Sequence, residues 1–180
     1  LVDLILAENP SSELKVLDIG TGSGAIAVSL KKSRPMWQVT ASDLSADALV
    51  LAKDNAKLNR VDISFVLADV FENVSGCFDI IVSNPPYISE NDKDEVGLNV
   101  LTSEPKMALF ADEDGLAIYR QIIEDADKYL NPQGKLYFEI GYKQGEDLRK
   151  LLSLHFPDKH VRVLKDQFGQ DRMVVMDDGN

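Results

Sequence analysis

Cysteine and histidine are nearly missing from this chain: Cys77, His155 and His160 are all there is in 180 residues. One cysteine excludes an intrachain disulfide and a cysteine-based metal site, and it fits a reducing, cytoplasmic setting. Neither histidine has an acid at ligand-like spacing, so no metal centre is expected. No apolar run approaches the roughly 18 residues that span a bilayer, so no membrane association is expected. The first residues, Leu1-Val2-Asp3-Leu4-Ile5-Leu6-Ala7-Glu8, carry acids and no basic leader, unlike a signal peptide. They read as one or two turns of amphipathic helix with an abrupt start, as in a piece of a longer protein. Basic residues are also scarce, with 19 Lys and Arg against 30 Asp and Glu and a formal net charge of −11. Affinity for a phosphate-lined duplex comes largely from Lys and Arg contacts. The balance therefore points away from direct nucleic-acid binding and toward a protein or small-molecule partner. The densest basic cluster, Lys31-Lys32 with Arg34, falls at a helix end, where cations favour the dipole, and reads as a solvated terminus.

What is present is an ordinary globular composition, 44% hydrophobic and 27% charged, long enough for one domain over residues 1–180 with a substantial core. Strand and helix patterns alternate. Strands are expected at residues 15–19, 38–42, 63–67, 79–83 and 135–140. Helices are expected at 25–33, 47–59, 115–130 and 146–154. Ser45 and Asp47 offer an N-cap to the second of these helices, whose apolar positions Ala48, Leu51, Ala52, Ala56 and Leu58 recur at helical spacing. The segment Asn131-Pro132-Gln133-Gly134 is expected to stop the third helix. Residues 161–164 and 172–176 close the chain as two strands with no helix between them. Alternation implies a mostly parallel sheet covered by helices on both faces, seven strands in all, with an antiparallel hairpin at one edge. Residues 88–112 form a polar stretch longer than most loops, of the kind that serves as a lid or binding loop.

The most informative residues are Asn84-Pro85-Pro86-Tyr87, directly after the apolar run Phe78-Asp79-Ile80-Ile81-Val82-Ser83. Two prolines remove two backbone donors and force a rigid, extended exit from the strand. A sheet gains nothing from this. A site that grips a planar group carrying an NH2 does, because the turn frees backbone carbonyls and aims Asn84 and Tyr87 beyond the strand end.

The second informative segment is Asp18-Ile19-Gly20-Thr21-Gly22-Ser23-Gly24, between the first strand and the first long helix. Glycine permits positive φ and close ligand approach, and the loop opens a helix whose N–H groups are expected to face outward. It lies in the first βα unit, where open α/β sheets bind nucleotides. Asp43 ends the second strand, where a ribose hydroxyl pair needs an acceptor. Asp69 follows the third strand and suits an adenine amine, with Val70 against the ring. The loop lacks the Gly-Lys-Ser/Thr of a phosphate cradle, and Asp18 would repel a pyrophosphate. A ligand with cationic groups suits it better, and S-adenosylmethionine carries a sulfonium and an ammonium. The plainer reading of Asp18, a carboxylate hydrogen-bonded within the loop, is compatible with that role.

Together these residues resemble a class I S-adenosylmethionine-dependent methyltransferase of Rossmann-like fold that acts on a planar nitrogen. Further along, Glu104-Pro105 with Ala108-Leu109, Asp114-Gly115-Leu116, Tyr119-Arg120, Glu139-Ile140-Gly141 with Gln144, and Asp166 with Gly169, Asp171 and Arg172 are similar to the release factor glutamine methyltransferases. The resemblance covers essentially the whole chain. It implies transfer of a methyl group from S-adenosylmethionine, leaving S-adenosylhomocysteine, to the side-chain amide nitrogen of the glutamine in the Gly-Gly-Gln motif of peptide chain release factors. It also implies that the helical N-terminal domain usual in the family precedes this chain. Carried over by position, Asp18 and the backbone of Gly20, Thr21, Gly22, Ser23 and Gly24 hold the methionine part of the donor. Asp43 holds the ribose, and Asp69 and Val70 the adenine. Asn84, Pro85, Pro86 and Tyr87 bind the acceptor amide, with Asn84 next to the donor as well and Asn84, Pro85 and Tyr87 carrying the chemistry. The alternative is an amino-methylase that flips an adenine or other base into the same pocket. A non-catalytic module that keeps the donor pocket and a hydride-transferring Rossmann enzyme are weaker readings, since neither requires the double-proline turn.

Overall fold

The structure, a computed structural model, describes residues 1–85 and 115–179, and the backbone of residues 88–89 and 110–111. Seven strands form one sheet: β1 (Lys15–Ile19), β2 (Gln38–Asp43), β3 (Ser64–Leu67), β4 (Phe78–Ser83), β7 (Leu130–Glu139), β8 (His160–Lys165) and β9 (Asp171–Asp177), in the spatial order β3-β2-β1-β4-β7-β9-β8. The pairs β1–β2, β1–β4, β2–β3 and β4–β7 are parallel. Strand β9 is antiparallel to both β7 and β8, so the closing hairpin forms one end of the sheet, with β8 at the rim. The expected α/β architecture with its antiparallel edge hairpin is what the chain adopts.

Successive strand residues face opposite sides, and each side has its own core. Leu17, Ile19, Ile81, Leu136 and Phe138 pack against Tyr119, Ile122 and Ile123 of α4 (Ala117–Asp125) and Leu148 and Leu152 of α5 (Gly145–His155). Val16, Val39, Ala41, Ile80, Val82 and Tyr137 pack against Ile5 of α1 (Val2–Glu8), Ala27 and Leu30 of α2 (Ala25–Ser33), and Ala56 of α3 (Ala46–Asn59). Helix α3 starts at Ser45, whose Oγ accepts from the Ala48 amide at 3.2 Å. Its buried face is Leu49, Ala52 and Ala56, while Leu51 and Leu58 are exposed. The apolar spacing was therefore only partly that of the buried face. Gly24 accounts for the small residue at 52: a Cβ on Gly24 would lie 3.1 Å from that of Ala52.

Four further expectations change. The helix expected over 115–130 ends at Asp125 and tightens into a 3-10 turn over Ala126–Lys128. Strand β7 then begins at Leu130 and runs through Pro132 and Gly134 rather than after them. Phe78 pairs with Leu130 and Ile80 with Lys135, so the breaker residues are taken up as an irregularity in the ladder, and Asn131 Nδ2 ties it down by donating to Asp79 Oδ1 at 2.6 Å. The stretch expected as an irregular loop carries two short strands, β5 (Ile88–Ser89) and β6 (Phe110–Ala111), which pair in parallel. Two residues are too few to show a period. The basic cluster is not simply solvated. Lys31 Nζ donates to the carbonyls of Pro35 and Trp37, Lys32 Nζ to Asn59 Oδ1, and Arg34 Nη2 to the Leu6 carbonyl. No helix among the described residues is long and apolar enough to cross a membrane.

A polar clamp joins α1 to the antiparallel end of the sheet. Arg162 donates to both carboxylate oxygens of Glu8, at 2.9 and 3.0 Å, and to Asp177 Oδ2 at 2.6 Å. Tyr137 Oη donates to Glu8 Oε2 at 3.0 Å, and Asn9 Nδ2 donates to Tyr137 Oη. The Arg162 hydrogen bond holds the Glu8 carboxyl below its ordinary value of 4.5. A depressed carboxyl pKa stabilises the fold above that ordinary value, and the contribution is lost as pH falls through the depressed one. Glu8→Gln is expected to cost about 1–2 kcal/mol at pH 7. The gap from the parent should begin to narrow as pH falls below 4.5 and go on narrowing as Glu8 itself protonates. Urea unfolding at pH 7 and pH 3.5 checks this; an unchanged gap would contradict it.

Candidate active site

A parallel sheet sends all its chain exits to one edge, and the register brings the marked residues to neighbouring places on it. Ser42 of β2 lies beside Ile19 of β1, Ile19 beside Ser83 of β4, and Ser83 beside Phe138 of β7. The next residues along the chain are Asp43, Gly20, Asn84 and Glu139. The glycine loop, the acid at the end of β2 and the start of the double-proline corner thus share one rim of the sheet.

The glycine loop is held on all sides. The Thr21 amide donates to the Ser42 carbonyl at 2.9 Å, and the Gly22 amide to Asp43 Oδ2 at 2.8 Å. The Gly24 amide turns back to the Thr21 carbonyl. Asp43 Oδ1 also accepts from the Ser45 amide at 2.8 Å, which joins the acid to the start of α3. Gly20 and Gly22 have φ of +69° and +55°, and a Cβ added at either would meet nothing within 4 Å. The loop therefore presents bare backbone to open space. Its amides at 21, 22 and 24 are already spent. The expected outward-facing donors are in part directed inward, and the loop is a shaped wall more than an anion cradle.

Asp18 lies beneath that wall and is buried. Its Oδ2 accepts from Thr21 Oγ1 at 2.6 Å and from the Ala27 amide at 3.2 Å, while Oδ1 has no hydrogen-bond partner among the described residues. It is the carboxyl hydrogen-bonded within the loop. Burial pushes its pKa from 3.8 up to about 7, against the opposing hydrogen bonds from Thr21 and Ala27, and the charge of Asp43 adds to the rise. An ionised acid this poorly solvated favours a cationic neighbour and disfavours an anionic one. The residues present thus fit a sulfonium and ammonium ligand and do not fit a pyrophosphate.

Asp69 stands exposed just after β3, and its carbonyl accepts from the Glu72 amide at 2.9 Å. Val70 is half-buried against the α4–α5 core, with a φ of +51°. A β-branched residue in the left-handed region costs of order 1–3 kcal/mol, and such strain gathers at functional sites. Asn84 is exposed and Pro85 buried, as expected of a corner that offers its amide outward from a rigid base. Pro86 and Tyr87 lie outside the described residues, as do Glu104, Pro105, Ala108, Leu109 and Asp114. Ser83 escaped the sequence reading. It is fully buried, and its Oγ donates to the Ile19 carbonyl at 2.7 Å. The only signal was a polar residue closing an apolar run. Gln144 is better explained too: it accepts from the Gly141 amide and donates to the Gly115 carbonyl, joining the exit of β7 to the approach of α4.

A family model described as the methyltransferase small domain matches residues 2–112. A release factor glutamine methyltransferase of Streptococcus pneumoniae is 63% identical over 179 residues, 99% of this chain and 64% of that protein. One of Lactococcus lactis is 49% identical over 97% of this chain and 64% of its own length. The chain thus spans 64% of the length of these two relatives. Among solved structures, the release factor-specific protein-(glutamine-N5) methyltransferase of Alicyclobacillus acidocaldarius superposes with a TM-score of 0.58 at 27% identity, over 97% of this chain and 87% of that one. The resemblance drawn from the motifs is borne out.

The buried acid carries a consequence for stability. A carboxyl whose folded pKa is raised stabilises the fold most below its unfolded value, and that contribution is lost as pH rises through the folded one. Asp18→Asn keeps the acceptor for Thr21 and cannot ionise. Its melting temperature is expected to fall less than the parent's between pH 5 and pH 8. Parallel melting curves over that range would show that Asp18 ionises freely in the folded chain.

Proposed function

We propose that this chain, which belongs to the methyltransferase small domain family, carries the catalytic domain of a release factor glutamine methyltransferase. It would transfer a methyl group from S-adenosylmethionine to the side-chain amide nitrogen (N5) of the glutamine in the Gly-Gly-Gln motif of peptide chain release factors. The observation that carries this reading is the shared sheet rim, where a bare glycine loop over a buried acid neighbours an exposed Asn84 on a proline-stiffened exit. The identity to the Streptococcus pneumoniae relative supports the choice of acceptor. The reaction belongs in the cytoplasm, where release factors act and where a lone thiol at Cys77 stays reduced.

S-Adenosylmethionine supplies an electrophilic methyl whose bond to sulfur breaks as the bond to nitrogen forms, leaving S-adenosylhomocysteine. The backbone of Gly20, Thr21, Gly22, Ser23 and Gly24 is assigned to the methionine part, with Asp18 beneath it offsetting positive charge. Asp43 is assigned to the ribose, its oxygens having lone pairs left beyond the bonds from Gly22 and Ser45. Asp69 and Val70 are assigned to the adenine.

An amide nitrogen is a poor nucleophile because its lone pair is delocalised into the carbonyl. Asn84 Oδ1 and the Pro85 carbonyl accept its two N–H bonds, push electron density onto the nitrogen and aim it. Tyr87 stacks on the planar amide, with Pro86 stiffening the corner between. Orientation of this kind removes several kcal/mol from the barrier. Acceptors placed where positive charge develops stabilise the transition state further. The methylated nitrogen then loses a proton to solvent, so no strong base is required.

The test is incubation of the chain with labelled S-adenosylmethionine and a release factor, followed by mass mapping of the label. Label on the glutamine of Gly-Gly-Gln is expected. Label on nucleic acid instead would favour the base amino-methylase, against which the net charge of −11 weighs. Asn84→Ala is expected to lower turnover at least about 100-fold, as loss of an oriented contact does, while the donor still binds. Normal turnover by that variant would remove Asn84 from the chemistry.

A further inference from the structure

We infer that Ser83 is a positioning residue for methyl transfer, because its hydroxyl locks the amide-binding corner to the donor loop. This inference rests on the function proposed above and adds a part that it does not assign. The double proline creates the need. A parallel ladder between β4 and β1 is carried by backbone amides, and Pro85 and Pro86 have none to give. The last residue of β4 before the corner is Ser83. It stands in register with Ile19, is fully buried, and donates Oγ–H to the Ile19 carbonyl at 2.7 Å. Ile19 is the residue from which the chain turns into Gly20, and Ser83 the one from which it turns into Asn84. The hydroxyl therefore adds a side-chain tie to the backbone ladder at the point where the two chain exits leave it, one assigned to the donor and the other to the acceptor amide.

The other flank of the loop is pinned differently. Thr21 and Gly22 are held by Ser42 and Asp43 of β2. With Ser83 present, its side-chain tie adds to the parallel ladders that join the ends of β2, β1 and β4. Without it, the two strands stay paired through their backbones, but the exits lose their side-chain tie and the distance between loop and corner is less defined. Methyl transfer in line needs the nitrogen within about 3–3.5 Å of the methyl carbon, and a misplacement of about 1 Å can cost about 100-fold in rate. The donor is assigned mainly to the loop and to residues after β2 and β3, so its affinity is expected to depend little on this link.

Ser83→Ala removes only the hydroxyl, and Ser83→Cys keeps the volume with a weak donor. Both variants are expected to lower kcat about 10- to 100-fold with donor Kd changed less than about threefold. A purely structural serine predicts the opposite pattern: the cysteine variant recovers turnover because it refills the space, or kcat and donor affinity fall together with melting temperature. Either result, or an unchanged kcat, overturns the proposal. Amide hydrogen exchange supplies a readout that needs no acceptor. In Ser83→Ala, exchange at Gly20 and Asn84, the first residues of the two exits, should quicken about tenfold or more, while Val16 and Ile80 in the same two strands, and Thr21 and Gly22 bonded to β2, keep their protection. If the parent methylates no release factor, the function above fails, and the exchange result alone decides whether Ser83 makes the link. Unchanged exchange at Gly20 and Asn84 would end the inference whatever the activity.

Discussion

The whole site depends on strands running the same way. Antiparallel neighbours would send alternate chain exits to opposite edges and scatter Gly20, Asp43 and Asn84. Parallel pairing of β2, β1 and β4 delivers them side by side, one strand spacing of about 4.8 Å from each to the next. Parallel pairing has a cost: both faces must be covered, since the crossovers are helices and the strands are apolar on both sides. The two cores on either side of the sheet meet that need, and the alternation of Leu17 and Ile19 with Val16 and Asp18 shows how closely residue and face are matched. Asp18 is the exception in that alternation. It takes a buried place beneath the helix face, where an apolar residue would pack without penalty, and the chain retains an acid whose charge is poorly solvated there.

Much of this was legible before any coordinates. Apolar strand runs alternating with helical patterns specified the parallel core of the sheet, and the absence of a helical pattern between residues 164 and 172 specified the hairpin. Ser45 was readable as a cap because a small hydroxyl before a helical pattern has few other uses. The glycine loop and the proline corner were readable because both violate what a sheet or helix prefers, and such violations concentrate at functional sites. Their shared rim came only with the parallel register of β2, β1 and β4.

What was not legible was local accounting. Pro132 and Gly134 read as breakers, yet β7 absorbs them, because Asp79 and Asn131 supply a side-chain bond where the ladder slips. Leu51 and Leu58 fit a helical stripe but face outward, because α3 turns its small residues Ala52 and Ala56 toward the sheet to admit Gly24. Tertiary packing overrode the pattern there. The direction of the loop amides could not be read at all. Which amides remain for a ligand depends on whether Ser42 and Asp43 reach them, and that is a matter of register between strands far apart in sequence.

That same accounting separates this site from the phosphate sites it superficially resembles. A phosphate-binding glycine loop keeps its amides free and places a helix N-terminus behind them, so that partial positive charge faces the ligand. Here the Ala27 amide is spent on Asp18, and those of Thr21 and Gly22 on β2. The field at the loop is thereby turned toward negative, with a carboxyl under the wall and a second one at its side. A cation entering such a loop lowers the cost of ionising Asp18, and the ionised Asp18 in turn holds the cation, so each stabilises the other by the same free energy. The glycines give access, but the acids choose the sign of what is admitted, and a sulfonium donor is a ligand of the sign they choose.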